Sequence, residues 1–193
     1  NALGEDQMTR RRRALDSNAA RAWCTDHCGQ NRIYFGRYNG NTPVPGHEIN
    51  RHGNPDRRRI ERLEDELKEI ERNQLAARSY DAERHLRDPQ WPEEEARFLF
   101  PSLDGSEMRS RWDMQDAPPD ILITNFSMLG IMLMRTIDDP IFAQTRSWLE
   151  SDDDAVFHLI IDELHLYRGT AGTEVAYLIR LLLHRLGLTP DHP

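Results

Sequence analysis

Lysine is nearly absent from the sequence. Lys68 is the single lysine, and all the other residues counted among the 25 lysines and arginines are arginines. A phosphate-binding loop of the Gly-Lys-Ser/Thr type needs a lysine that reaches the β- and γ-phosphates of a nucleotide. Lys68 lies between Leu67 and Glu69 in a charged stretch that is predicted to be helical, so these residues contain no such loop. An activity that depends on this loop would need residues from outside the chain.

Cysteines and long apolar runs are also scarce. Two cysteines, Cys24 and Cys28, are too few for a disulfide framework, which favours a reducing compartment, and we expect a cytoplasmic protein. No segment approaches the ~20 apolar residues that cross a bilayer, and no secretory signal is visible, so no membrane partner is predicted. Because the chain opens at Asn1 rather than Met and closes at Pro193 just after a predicted helix, we expect a piece of a longer protein.

Acidic residues outnumber basic ones. The formal net charge is −8, from 25 lysines and arginines against 33 aspartates and glutamates. This balance argues against a surface that binds a polyanion everywhere, although a local groove needs only a few donors to contact phosphates. With 30% charged residues and a mean hydropathy of −0.75, part of the chain is expected to be a solvated extension rather than core.

The first half of the sequence predicts a helix, a strand and a long helical arm. Residues 3–23 carry apolar residues roughly on one face, and residues 32–36 form a short β-branched and aromatic run closed by a glycine. A loop over residues 39–55 follows. Residues 56–87 are then predicted to form a charged helix, which Asp88-Pro89 ends.

The arm is part of a predicted insertion over residues 44–117, which includes a short helix near 104–113. The apolar residues of the arm recur at helical spacing as a narrow seam: Ile60, Leu63, Leu67 and Ile70. Such a seam fits a coiled-coil partner site or packing within the same protein, and its short length favours intramolecular packing.

The second half alternates apolar runs with helical patterns. Residues 120–124 and 156–161 are continuous apolar runs, as expected of strands buried on both faces. Asn125 or Ser127 can cap a helix that reaches Met134. Further helices are predicted over residues 140–149 and 171–187, the second ended by Gly187.

This alternation predicts an α/β fold with a parallel sheet flanked by helices, carrying the inserted arm. Ligands of such sheets bind at the carboxyl ends of the strands. Thr124-Asn125 and Asp162-Glu163 follow the two predicted strands directly. The sequence therefore places its polar residues where a binding site is expected.

The acidic pair Asp162-Glu163 suits phosphoryl transfer from a nucleotide. An aspartate at a strand end can hold Mg²⁺, the following glutamate can orient and deprotonate the attacking water, and His165 can sense the γ-phosphate side. Two other interpretations stay open: the two carboxylates only start a loop and cap a turn, or Asp162, Glu163 and His165 bind zinc.

Four segments in order resemble motifs of the DEAD/DEAH-box class of superfamily 2 helicases, above all the large YprA-like DNA helicases. The segments are "NALGEDQMTRRRRALD" from Asn1, "GRYNGNTP" from Gly36, "PPDILITNFSMLGIML" from Pro118 and "FHLIIDELH" from Phe157. They resemble motif Ia, the segment that follows it, the equivalent of motif Ib, and motif II. Asn41 departs from the pattern, because an aspartate is usual at that position, and this puts a charge-dependent role there in doubt.

The resemblance implies a partial RecA-like first motor domain, with core segments 1–43 and 118–193. It implies ATP and Mg²⁺ as cofactors, with Asp162 serving the metal, Glu163 the water and His165 the coupling to nucleic acid. The residues that the resemblance places along a nucleic-acid strand are Asn1, Ala2, Leu3, Gln7, Tyr38, Gly40, Thr42, Thr124, Asn125, Met128 and Leu129.

The expected function is thus that of a fragment of an ATP-dependent helicase or translocase acting on nucleic acid, more on DNA than on RNA. Its partners are nucleic acid and the remaining motor domains of the same protein. The fragment itself is expected to be inactive, because it lacks the phosphate-binding loop. The alternative is a non-catalytic nucleic-acid- or protein-binding module that keeps a degenerate RecA-like shape.

Two further features have ordinary explanations. Cys24 and Cys28 suggest a metal site, but two thiols alone make a weak one. The arginine runs 10–13 and 57–59 are by default solvated faces. Only the run at 10–13 is expected to meet phosphates, because its helix follows a segment that resembles a strand-contacting motif.

Overall fold

The structure is a computed structural model that describes residues 2–29, 31–50, 52–91 and 95–189. Its helices and strands, in chain order, are α1 (Ala2–Asp16), α2 (Asn18–His27), β1 (Phe35–Tyr38), α3 (Arg57–Arg87), β2 (Glu107–Met108), α4 (Arg111–Asp116), β3 (Ile121–Thr124), α5 (Phe126–Met134), α6 (Asp139–Ser151) and α7 (Thr170–Arg185). Short 3₁₀ turns cover Ala96–Leu99, Thr136–Asp138 and Leu164–Leu166.

The three described strands form one parallel sheet in the order β2-β1-β3. Phe35 at the start of β1 is paired with Glu107 on one side and Ile121 on the other, and Tyr38 at its end is paired with Thr124. Helices flank this sheet, so the predicted α/β class, consistent with a partial RecA-like fold, is confirmed.

The main core lies between the sheet and the helices α4 to α7. Tyr38, Met114 and Met132 are fully buried at its centre, with Phe142 and Leu182 packed around them. Gly36 of β1 is required here, because a Cβ at this position would collide with Sδ of Met114. The close approach of α4 to the sheet therefore depends on a residue without a side chain.

The first predicted helix, over 3–23, is wrong as a single element, because it is two helices that meet at Ser17. The Ser17 side chain accepts a hydrogen bond from the amide of Ala20 (3.2 Å) and caps α2, which runs on to His27. The carboxylate of Asp16 is buried and accepts from the amide of Ser106 (2.8 Å) and from Arg32 (2.9 Å). The capping bond of Ser17 starts a new helix there, although the apolar pattern continues across this position.

The long arm is confirmed as α3, which starts after its cap Asp56 and ends before Asp88. Its second half is docked on the following turn: Gln74 donates to the carbonyls of Arg97 and Phe100, at 2.9 Å each. The buried carboxylate of Asp81 accepts from the amides of Ala96 (2.9 Å) and Arg97 (3.1 Å). The second half of the arm thus packs within the chain. The seam residues Ile60, Leu63, Leu67 and Ile70 are half-buried, and the packing predicted for them stays a prediction.

The strand β2 lies inside the range 44–117 and was missed, because two residues carry no periodic signal. It is held to α1 by Arg12, which donates to the carboxylate of Glu107 (2.5 Å) and to the carbonyl of Leu99 (3.0 Å). The short helix near 104–113 is shifted to α4, where Ser110 and Asp113 form a capping box. The last part of this range therefore contributes a strand to the sheet.

The remaining helices follow the predictions closely. Asn125 caps α5 by accepting from the amide of Met128 (2.8 Å). Helix α6 has Pro140 in its first turn, and Gly187 takes a left-handed conformation with φ +72° just beyond α7.

The predicted strand at 156–161 is wrong. The segment after Ala155 has no regular secondary structure and forms no backbone ladder with any described residue. Its apolar side chains are largely uncovered, with Val156 52% and Ile160 90% exposed, although Phe157 packs against the core. A strand needs neighbours for its N–H and C=O groups. Within the described residues none is available, so the apolar run alone does not form a strand.

Candidate functional site

The carboxyl ends of β1 and β3 lie side by side and start the two loops that carry most of the predicted contact residues. Tyr38 is paired with Thr124 in the sheet, and the hydroxyl of Thr124 donates to the carbonyl of Tyr38 (2.8 Å). This bond ties the two strand ends together. The polar residues that follow each strand consequently share one edge of the sheet, as expected for a parallel arrangement.

The loop over residues 39–46 is held in one conformation from inside. The Thr42 hydroxyl is buried, donates to the carbonyl of Arg37 (2.5 Å) and accepts from the amide of Asn39 (2.9 Å). From α4, Arg111 donates to the carbonyl of Asn39 (2.7 Å), and the indole of Trp112 donates to that of Gly46 (2.6 Å). Gly40 and Asn41 are left exposed at the loop surface.

Tyr38 itself is a structural anchor of this edge. Its ring is fully buried with the Arg111 guanidinium 4.9 Å above it, and its hydroxyl donates to the carboxylate of Asp138 and accepts from Gln115 (3.2 Å). Burial and the adjacent Asp138 carboxylate raise the pKa of Tyr38 to about 12. Since the side chain is covered, a contact to nucleic acid at Tyr38 would involve its backbone only.

Asp138 and Gln115 are site residues that the sequence did not reveal. Asp138 is fully buried and accepts from Tyr38 and from Gln115 (2.8 Å), with the Arg135 guanidinium 3.6 Å from its second oxygen. In the sequence, Asp138 stands just before Asp139-Pro140, a pair that indicates only the beginning of a helix. Its role in holding the end of β1, 100 residues away along the chain, appears only in the fold.

The other predicted contact residues are spread over two elements. Asn125 is exposed with its oxygen used for capping, whereas Met128 and Leu129 are half-buried against the core. Gln7 is exposed on α1, the same helix that includes Ala2 and Leu3, and Asn1 lies outside the described residues.

The arginine run of α1 is largely occupied within the chain. Arg12 is buried against Glu107, and Arg13 forms an ion pair with Glu95. These two cations hold α1 to β2 and to the turn after the arm.

The acidic motif lies on an exposed turn after the extended segment. Asp162, Glu163 and His165 are all exposed, and Glu163 has φ +51°, which is unusual for a residue with a side chain. The His165 ring lies 3.3 Å from the Glu163 carboxylate. All three side chains are thus open to solvent, and those of Glu163 and His165 are in contact.

One ring contact locates this turn relative to the sheet. Tyr167 lies 6.3 Å from Phe126, centroid to centroid, and Phe126 is the first residue of α5 just beyond the end of β3. Leu178 of α7 also packs close to Gly130 of α5. The residues after the acidic motif therefore lie beside α5, the helix that follows β3.

The donors of this turn fit Mg²⁺ in its nucleotide-bound form. Magnesium takes oxygen ligands and commonly uses one or two carboxylates together with substrate phosphates and water. Asp162 and Glu163 offer exposed carboxylates of that kind. No group of three or more His, Cys, Asp or Glu side chains suited to a metal comes together in the described part of the chain, the surroundings of Cys24 and Cys28 included.

Among the helices that the structure describes, none combines the length and the apolar character needed to cross a membrane.

Comparison with known proteins gives one curated relative. The chain is 34% identical over 219 aligned positions to Druantia protein DruE of Escherichia coli (strain UMEA 4076-1). The similarity covers 97% of this chain and 11% of that protein, so the chain spans about a tenth of its relative's length. No protein-family profile and no solved structure matches the chain.

Proposed function

We propose that this chain is part of the first motor domain of an ATP-dependent nucleic-acid helicase or translocase. The observation that supports the proposal is the contact between Phe126 and Tyr167, because Tyr167 follows the acidic turn and Phe126 starts the helix just beyond the carboxyl end of β3. In α/β proteins the carboxyl edge of the sheet is where ligands bind. Nucleotide chemistry and strand contacts would then share one edge of the sheet.

In this proposal the carboxylates divide the work. Asp162 would hold the magnesium of the nucleotide, which supplies charge neutralisation on the phosphates when it is bound. Glu163 would accept a proton from the attacking water and orient it. His165 lies 3.3 Å from Glu163 and would couple the state of that carboxylate to the bound nucleic acid.

The nucleic-acid strand would run over the loops that follow β1 and β3. Gly40, Asn41 and Asn125 are exposed there, and Thr42 and Thr124 keep the backbone in place beneath them. Loop amides and small polar side chains bind phosphate and sugar without a strongly basic surface. This route reconciles nucleic-acid binding with a net charge of −8.

The similarity to DruE supports a unit within a much longer protein. It extends over nearly the whole chain but over a small part of that relative. The phosphate-binding loop and a second motor domain would be supplied by other segments. Since Lys68 lies on the arm, it would not substitute for the lysine of that loop.

A second candidate is a non-catalytic binding module with a similar shape. The exposure of Val156 and Ile160 favours it, because a catalytic aspartate is normally held at the end of a well-paired strand. The two candidates differ in one property: only the motor hydrolyses ATP.

The test is the substitution Glu163→Gln in the full-length protein. We expect nucleic-acid-stimulated ATP hydrolysis to fall roughly 10²–10⁴-fold, because the proton acceptor is lost, while ATP binding is retained. Glu71→Gln, on the exposed face of the arm, is the matched control and should leave turnover unchanged. Undiminished hydrolysis in the Glu163 variant would refute the catalytic role, and no hydrolysis in the unmodified protein would favour the binding module.

A further inference from the structure

A groove separates the loop after β1 from the first turns of the arm. One wall is residues 40–45, and the other is formed by the side chains of α3 from Asp56 to Glu66. The volume is about 580 Å³, within the range of roughly 300–1,000 Å³ found for small-molecule sites. We call this space the arm groove.

The charged residues of the arm groove fall into two sets. Asp56 and Arg59 neutralise each other at 3.1 Å, and Arg59 also donates to the carbonyl of His47 (3.0 Å). These two side chains therefore hold the loop and the start of the arm together. They contribute no net charge to a ligand.

The second set is left for a ligand. Arg58 and Arg62 line the arm groove, are exposed, and have no ion-pair partner within 4.0 Å among the residues that the structure describes. The carboxylate of Glu66 lies on the same wall; partial burial raises its pKa, nearby Arg62 opposes this shift and Glu69 adds to it. The residues that line the arm groove thus include three arginines and two carboxylates, an excess of one positive charge in a chain that is acidic overall.

The spacing of the two arginines suits a polymer of phosphates. Residues four apart lie on the same face of a helix and are separated by about 6 Å along its axis. That separation is comparable to the distance between neighbouring phosphates along a nucleic-acid strand. On the opposite wall, Gly40 has open space where a side chain would lie.

The loop wall is rigid, which favours binding to an extended strand. Thr42 is buried and bonded on both sides, and Arg111 and Trp112 hold the loop carbonyls from α4. A wall fixed before binding loses little conformational entropy when a ligand arrives.

We propose that the arm groove binds the sugar-phosphate backbone of the nucleic-acid strand, with Arg58 and Arg62 contacting successive phosphates. This inference rests on the proposed function and extends the strand path from the loop after β1 onto α3. The arm then forms one side of the binding groove for the strand. A segment of acidic protein is the competing occupant, and the test separates the two.

The test compares two double variants of the full-length protein that each remove two positive charges from α3. Arg58→Gln/Arg62→Gln alters the arm groove, and Lys68→Gln/Arg72→Gln alters exposed cations further along the helix. Binding of a fluorescein-labelled oligothymidylate is measured by anisotropy over a range of salt concentrations. Circular dichroism during heating checks that both variants keep the fold.

We expect the arm-groove variant to bind roughly tenfold more weakly at moderate salt. The slope of log affinity against log salt should shrink by about 1.4, since each lost contact to a single strand contributes about 0.7. The control variant should keep the slope of the unmodified protein. Arg58→Lys/Arg62→Lys should also keep most of it, because charge rather than shape is required.

Each other outcome is decisive. Equal slopes for the arm-groove variant and the control overturn this inference while leaving the proposed function intact. Weaker binding of a polyglutamate probe with unchanged oligonucleotide binding assigns the groove to an acidic protein segment and overturns it as well. If the unmodified full-length protein binds no oligonucleotide, the proposed function fails first and the inference with it.

Discussion

The edge at Tyr38 and Thr124 and the turn at Asp162 and Glu163 carry the predicted function in very different settings. At the first, hydrogen bonds link β1 to three other elements: Thr124 of β3 to Tyr38, Tyr38 to Asp138 of the 3₁₀ turn, and Arg111 of α4 to Asn39 just after β1. At the second, the preceding segment is unpaired and the carboxylates are exposed. Both regions follow similar apolar runs in the sequence.

The difference shows what an apolar run can and cannot determine. Residues 121–124 form the strand β3 because β1 lies alongside and pairs with their backbone groups. Residues 156–161 are at least as apolar, yet they have no neighbour in the described chain and remain unpaired. Hydrophobicity favours burial of a segment, but a strand also requires partners for its backbone.

The largest expected effect concerns hydrogen exchange in these two regions. In the 193-residue chain, amides of residues 156–161 should exchange almost as in an unfolded chain, whereas those of β1 should exchange only with global opening. The difference corresponds to a protection free energy on the order of 5 kcal/mol. Exchange followed by mass spectrometry measures both segments in one experiment.

The same measurement on the full-length protein sharpens the comparison. We expect residues 156–161 to become protected there, because exposed apolar side chains such as Ile160 indicate a surface that is covered. Continued fast exchange in the full-length protein would contradict this and would favour the binding-module interpretation.

The second prediction concerns the loss of folding stability at alkaline pH when Tyr38 is deprotonated. Because the pKa of Tyr38 is raised to about 12 from its ordinary value of 10, its contribution to folding stability is complete below pH 10. It is lost as the pH rises towards 12, since the unfolded chain releases this proton first. The loss should be about 2–3 kcal/mol, measured as the fall in unfolding free energy in urea between pH 9 and 12.

The substitution Tyr38→Phe serves as the variant for that experiment. It should cost about 1–3 kcal/mol at neutral pH, because the buried Asp138 loses a donor, and it should flatten the alkaline loss. Tyr177→Phe is the control, since Tyr177 is 70% exposed and should leave the profile as it is. An unchanged alkaline loss in the Tyr38 variant would assign it to other groups.

The smallest expected effect comes from substitutions of Asn125, which distinguish its role as a helix cap from its predicted contact with nucleic acid. Asn125→Ala should cost about 1 kcal/mol of stability, because the amide of Met128 loses its acceptor. Asn125→Asp keeps the cap, so stability should hold, but its negative charge should weaken oligonucleotide binding by the full-length protein. Unimpaired binding by the aspartate variant would remove Asn125 from the predicted strand contacts.

Much of the local structure could be predicted from the sequence. The arm, α5 with its Asn125 cap, and the Gly187 ending of α7 each depend on residues within a few positions of one another. The split at Ser17 was also encoded locally, but the apolar pattern across it was given more weight.

The site was less predictable, because its supports are distant in sequence. Asp138 reaches Tyr38 across 100 residues and Arg12 reaches Glu107 across 95, and neither pair carries a pattern that marks it. The roles of Asp162, Glu163 and His165 remain predictions. The contact of Tyr167 with Phe126 places only the residue after this motif beside α5.

By itself, the sequence determined the helices, their caps and the class of the fold, because these follow from side-chain periodicity and from hydrogen bonds between near neighbours. The tertiary structure decided which apolar runs became strands, which arginines were committed to ion pairs, and where a groove opened beside the arm. Those outcomes depend on which distant segments come into contact, and backbone pairing and charge neutralisation are properties of that contact rather than of either segment alone.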